Sequence, residues 1–217
     1  LPLGELALVP DISAVEVPMF EQTAFLQAEF KNDSAEILLL GLAILYHDGA
    51  IVGQYDMPLI AAGDKAKLGF GTIEGIRLKR TEPERMQGQE GLITSSNRLD
   101  EVSLNTVENL TNEDWQVQLL DRVAYSEQSD LAISYKASPP ETQSEIEGQC
   151  GILRWNFDLA DRAKQEIRPE QTVSWPDGQV LQQAKTTRPQ PASHPLFLKR
   201  VSEPSCETRL CRWRKYC

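Results

Sequence analysis

Histidine, cysteine and long apolar runs are all scarce in this chain of 217 residues, and each scarcity removes a class of function. Only His47 and His194 are present. His47 directly precedes Asp48-Gly49, a turn signal where a polar residue is expected on structural grounds alone, so it is a poor triad base. Cys150 stands alone in the body, while Cys206, Cys211 and Cys217 crowd the end. One cysteine cannot make a disulfide within the body, so this is not a stapled mini-fold. The longest apolar stretch, Ile37 to Tyr46, is interrupted only by Gly41. A membrane-crossing helix needs roughly 20 apolar residues, so the expectation is a buried strand or short helix and no membrane span.

The chain opens on Leu1-Pro2, without an initiator Met, a basic stretch or an apolar leader. Any targeting signal is therefore expected upstream, or already removed. The formal charge is −10 and unevenly spread. Residues 184–217 carry eight bases against Glu203 and Glu207, a net of +6, which leaves −16 on residues 1–183. So acidic a body repels phosphate backbones and argues against nucleic acid.

Period-two alternation recurs throughout the body. Ala24, Leu26, Ala28 and Phe30 share a face opposite Gln27, Glu29 and Lys31. Leu153, Trp155, Phe157 and Leu159 alternate with Arg154, Asn156 and Asp158. Trp115, Val117 and Leu119 repeat the pattern, as do Leu131, Ile133 and Tyr135, and then Val173 and Trp175. Such runs read as half-buried strands. Asp48-Gly49 predicts a tight hairpin between Leu42–His47 and Ala50–Tyr55. Further turns are expected at Asn109–Asn112, Pro139-Pro140, Ala61–Lys65 and Ala160–Ala163. The stretch Leu159–Ile167 fits either a short helical turn or two strands around Asp161-Arg162.

The fold class expected is all-β, an antiparallel β-sandwich in two sandwich-like units with a disordered C-terminal tail. The units are 1–80 and 98–183. A polar, glycine-containing seam or linker lies over 81–97, and a basic tail holding prolines and cysteines over 184–217. The tail has little periodicity and is expected to be a non-native extension.

No cluster carries recognisable chemistry. Ser126 lacks the Gly-x-Ser-x-Gly elbow of a hydrolase. Cys150, before Gly151 at a strand start, has no histidine to activate it. The spacing of Cys206, Cys211, Cys217 and His194 is not that of structural zinc sites. Asp48, Asp56, Asp64, Glu74 and Asp121 are scattered carboxylates with no Asp-x-Asp cluster for calcium. Gly69-Phe70-Gly71 and Gly75 lack the Lys-Ser/Thr of a phosphate loop. Asn32-Asp33-Ser34 and Asn109-Leu110-Thr111 are formal glycosylation sequons. Trp115, Trp155 and Trp175 could stack on a sugar, but their alternation within strands favours core packing. No catalytic, cofactor-binding or metal-binding residue is therefore assigned, and no cofactor.

The stretches Val107-Glu-Asn-Leu-Thr-Asn-Glu-Asp-Trp115 and Leu119-Leu-Asp-Arg-Val-Ala-Tyr-Ser-Glu127 resemble the C-terminal domain of the mucoidy inhibitor A family. Gly151-Ile-Leu-Arg-Trp155, Asp158-Leu159 and Thr172-Val-Ser-Trp-Pro-Asp-Gly178 continue the likeness. Upstream, Thr23-Ala-Phe-Leu26, Phe30-Lys-Asn-Asp33, Asp48-Gly49 and Phe70-Gly71 extend it over most of residues 1–180. Ala124 departs from a frequent proline, and Asp161-Arg162 from a Pro-Gly turn. The resemblance implies a domain of unknown function in the bacterial periplasm or envelope, following other domains and linked by name to exopolysaccharide. The reading is a non-enzymatic interaction module binding protein or polysaccharide through its loops. Its rival is a carbohydrate hydrolase using two of the scattered carboxylates.

Overall fold

The computed structural model describes residues 4–18, 20–90, 96–179 and 181. Expectations that fall on 184–217, including His194, Cys206, Cys211 and Cys217, lie outside the described residues. Within them the chain is built of strands, with a single 3₁₀ turn at Ile146–Gly148. The strands are β1 (Asp11–Glu16), β2 (Thr23–Lys31), β3 (Gly41–His47), β4 (Ala50–Met57), β5 (Lys65–Glu90) and β6 (Ser96–Asn109). They continue with β7 (Trp115–Arg122), β8 (Ala132–Ser138), β9 (Gln143–Ser144), β10 (Ile152–Leu159) and β11 (Lys164–Pro176). The stretch Leu159–Ile167 resolves into two strands around a turn in which Arg162 takes a φ of 56°.

The all-β expectation holds, but the arrangement differs from two separate units. Nine strands form one mixed sheet in the order β8-β11-β6-β5-β2-β1-β7-β10-β9, and β3-β4 form a second sheet. Most pairs are antiparallel, whereas β1 runs parallel to β7, with Ala14 opposite Val117 and Glu16 opposite Leu119. Of the segment expected as a seam, the described residues are strand: β5 and β6 pair from Ile76↔Asn109 to Glu90↔Ser96. The register shifts between Thr81 and Glu84, around Pro83, which has no N–H to give the ladder.

The large sheet folds over on itself. Asn105 on β6 donates to Asp121 on β7 at 2.7 Å, although four steps separate those strands in the sheet order. In a flat sheet four steps span about 19 Å. The two halves must therefore face each other, with a shared core between them. That core draws on both ends of the chain: Ala14, Ala24, Leu26, Ile76 and Leu78 pack with Val107, Leu119, Leu153, Trp155 and Ile167. Trp155 is 2% exposed and its Nε1 donates to the Pro139 carbonyl at 2.9 Å, so its one polar group is satisfied inside. Arg154 is half-buried and Asn156 and Asp158 are exposed. The alternation of β10 thus reports its two faces correctly. On β8 the same alternation misleads, because this edge strand leaves Tyr135 exposed with its hydroxyl donating to Glu141.

Candidate interaction surface

Two asparagines organise the molecule. Asn32, 0% exposed at the end of β2, donates Nδ2 to the carbonyls of Glu36, Ile60 and Ala61 at 2.8–3.3 Å. Its Oδ1 accepts from the Ser34 N–H and hydroxyl at 3.2 and 2.6 Å. Asn109, 0% exposed at the end of β6, repeats every contact. Its Nδ2 donates to Glu113, Leu159 and Ala160, and its Oδ1 accepts from the Thr111 N–H and hydroxyl. The backbone agrees, since the N–H groups of Asn32 and Asn109 donate to Asp64 and Ala163. The carbonyls those amides reach sit in turns holding a positive φ at Gly63 and at Arg162. Here the formal sequons serve structure. Each asparagine side chain supplies donors that would otherwise be missing from a buried turn.

These knots mark an internal repeat. Each asparagine is followed by an antiparallel strand pair and then by the strand that returns to its own ladder. The pair Leu38↔Ile60 occupies the place of Trp115↔Leu159, and β2–β5 the place of β6–β11. The β3–β4 hairpin is therefore the counterpart of β7–β10. In β7 and the residue just after it the inward face is Val117, Leu119, Asp121 and Val123, all buried. The equivalent positions after Asn32 are Leu40, Leu42, Ile44 and Tyr46, which are 71, 63, 49 and 57% exposed.

The longest apolar stretch, expected to be buried, is thus mostly on the surface. Asp48 and Gly49 take φ values of 50° and 76°, as a tight hairpin turn requires. A bulge between Leu45 and Tyr46 brings Ile51 opposite Tyr46, and Ile51 is 64% exposed. Only the other face of the hairpin meets the body. There Leu45 is buried, and burial pushes the Tyr55 hydroxyl above its ordinary pKa. Among the described residues neither β3 nor β4 pairs with a strand outside this hairpin. A row of apolar side chains along an unpaired edge is a surface that natural proteins otherwise cover or break up with charge.

The interior holds charge that the sequence did not announce. Glu16, at the end of β1, is 0% exposed, and neither carboxylate oxygen has a hydrogen-bond partner. Burial pushes its pKa up to about 8. Asp121 is ion-paired to Arg80, which also donates to Asn105 at 3.1 Å. Glu101 lies 2.7 Å from Arg85 Nε and accepts from Gln171. These groups come from strands far apart in the chain, and strand alternation alone carries no signal of their meeting. Glu101 and Gln171 also line a groove of about 170 Å³ together with Asp100, Tyr135, Lys136 and Thr172, among others. That is small beside the 300–1,000 Å³ of ordinary ligand pockets.

The remaining sequence candidates do not converge. His47 and Asp48 are exposed neighbours at the hairpin tip, 3.8 Å apart. Asp56 is on the exposed face of β4, Asp64 accepts the Ala61 N–H in its own turn, and Glu74 is exposed on β5. Asp121 alone is buried, and it is committed to Arg80. Ser126 accepts the Gln128 N–H within its loop. Cys150 is half-buried just before the start of β10. The glycines at 69, 71 and 75 lie in β5, where its register against β2 shifts between Phe25 and Gln27. Gly75, at φ 96°, passes so close to Thr111 that a Cβ would meet its Cγ2 at 2.8 Å. Trp115 is half-buried and Trp155 and Trp175 are buried, so core packing is their role. Among the described residues no group of three His, Cys, Asp or Glu side chains is placed to hold a metal ion, and no helix is long and apolar enough to cross a membrane.

A family model described as a domain of unknown function, DUF4139, matches residues 9–177. The chain belongs to that family. The match runs from just before β1 to just after β11, so it takes in both repeats and the folded sheet as one unit. The chain is also similar to Protein F37C4.5 of Caenorhabditis elegans, 27% identical over 139 residues. That alignment covers 64% of this chain and 25% of the relative, so the match spans about a quarter of the longer protein. No solved structure matches.

Proposed function

We propose that this domain is a non-enzymatic interaction module that binds protein through the exposed face of the β3–β4 hairpin. One observation carries the reading. Leu40, Leu42, Ile44 and Tyr46 are exposed where the equivalent residues of the second repeat are buried in the core. Exposing several large apolar side chains forgoes on the order of 1.5–3 kcal/mol each, a cost that a covering partner removes. The resemblance to the mucoidy inhibitor A family supports a setting in the bacterial periplasm or envelope, with exopolysaccharide control as the process served. The test is affinity capture from envelope extract and from purified polysaccharide, comparing the wild-type domain with an Ile44→Lys/Tyr46→Lys variant. Protein captured by the wild type and lost by the variant supports the reading. Capture indifferent to the two lysines, or turnover of a glycoside substrate, overturns it.

A further inference from the structure

Resting on that reading, we infer that the free edge of β3 accepts an extended strand from another polypeptide, apolar at alternate positions and basic at its ends. The internal repeat says what kind of element belongs there. In the second repeat the strand equivalent to β3 is β7, whose outer edge is filled by β1 running parallel, with Ala14 opposite Val117 and Glu16 opposite Leu119. Val117 and Leu119 correspond to Leu40 and Leu42. Among the described residues no strand occupies that place beside β3. Among the described residues, repeat one therefore keeps the acceptor edge without the strand that fills it in repeat two. Addition of a peptide strand to an open edge is an established mode of recognition, with backbone hydrogen bonds giving affinity and alternate side chains giving specificity.

The backbone groups on offer can be named. Leu38 and Ile60 exchange both N–H···O bonds, each at 3.0 Å. In an antiparallel pair such exchanges recur at every second residue, so even-numbered residues up to Ile44 turn their N–H and C=O toward β4. Gly41 and Ala43 turn theirs to the open edge. The side chains of Leu42 and Ile44 flank that edge on the exposed face, where alternate apolar residues of an added strand would extend their row.

Charge selects the occupant. Residues 32–64 contain Asp33, Glu36, Asp48, Asp56 and Asp64, and no Lys or Arg. Lys31 offsets Asp33, but Glu36 lies before β3 and Asp48 just after it, at the two ends of the open edge. The body of a second copy would bring the same acids against themselves, since residues 1–183 carry −16. Like charges across an interface are strongly disfavoured. A strand with basic ends is matched to this edge, and the acidic body of a second copy is not.

The experiment uses fluorescein-labelled peptides with a Val-Thr-Val-Thr-Val centre and either two Lys or two Glu at each end, at 0.15 M salt. The Lys-ended peptide should bind at least tenfold more tightly than the Glu-ended one. Ala43→Pro, which removes an edge donor and leaves the β3–β4 ladder intact, should weaken binding at least tenfold with an unchanged Tm. On the wild type, bound peptide should slow amide exchange at Gly41 and Ala43 at least tenfold and leave Leu42 and Ile44 nearly unchanged. The exchange measurement stands even if the proline variant is destabilised. Binding without protection at Gly41 and Ala43 would be charge attraction alone and would overturn the inference, as would no binding of the Lys-ended peptide. Either result leaves the broader interaction reading intact so long as capture still depends on Ile44 and Tyr46.

Discussion

Glu16 should make the stability of this domain fall as pH rises through neutrality. Its carboxyl is 0% exposed, partnerless and shifted by burial to about 8 from an ordinary 4.5. The folded state therefore keeps a proton that the unfolded chain releases above pH 4.5. Stability is full below that value, declines by about 1.4 kcal/mol per pH unit between 4.5 and 8, and levels off above. The total is roughly 5 kcal/mol, a large share of the 5–15 kcal/mol by which domains are stable. Glu16→Gln keeps the shape and a polar tip but cannot titrate. Glu16→Leu adds apolar contact beside Leu119, on the side where Ala14 already meets the core. Urea unfolding followed by fluorescence of buried Trp155 and Trp175 at pH 5, 7 and 9 measures the effect. The wild type should lose several kcal/mol between pH 5 and 9 relative to Glu16→Gln, and Glu16→Leu should be the most stable at pH 9. Parallel stability curves for wild type and Glu16→Gln would refute the burial of this carboxylate.

Asn109→Ala should destabilise by about 3 kcal/mol in thermal or urea melts, because the carbonyls of Glu113, Leu159 and Ala160 lose a shared donor. Asn32→Ala should do the same at the other knot. In a glycosylating host neither asparagine should gain a glycan, and an intact mass carrying one would show that the side chain is accessible. Asp121→Ala should cost about 3–5 kcal/mol by stranding Arg80, and Arg80→Met with Asp121→Leu should recover most of it. If the double variant were as unstable as Asp121→Ala, the loss would not come from an uncompensated charge. Gly75→Ala should lower Tm measurably, since it combines a φ of 96° with a 2.8 Å approach to Thr111; an unchanged melt would mean that this contact is relaxed in solution.

The sequence by itself determined the elements. Alternation in 24–30, 115–119, 153–159 and 173–175 marks strands because successive side chains leave a strand on opposite faces. Asp48-Gly49 and Asn109–Asn112 mark turns because their residues tolerate the backbone those turns need. Even the repeat was written there, as Asn-x-Ser/Thr-x-Glu at both Asn32 and Asn109, though the same letters also spell a glycosylation signal. Which face of each strand is covered was decided only by tertiary structure. Leu40, Leu42 and Ile44 have the composition of a core strand, as Val117 and Leu119 do, yet one set is exposed and the other buried. The difference lies in β1, which pairs with β7 and not with β3. Glu16 reads as a surface residue and is buried because it shares a face of β1 with Ala14, which packs in the core. Local pattern sets where a side chain points. Long-range pairing sets what it meets, and among the described residues that pairing leaves one apolar edge open.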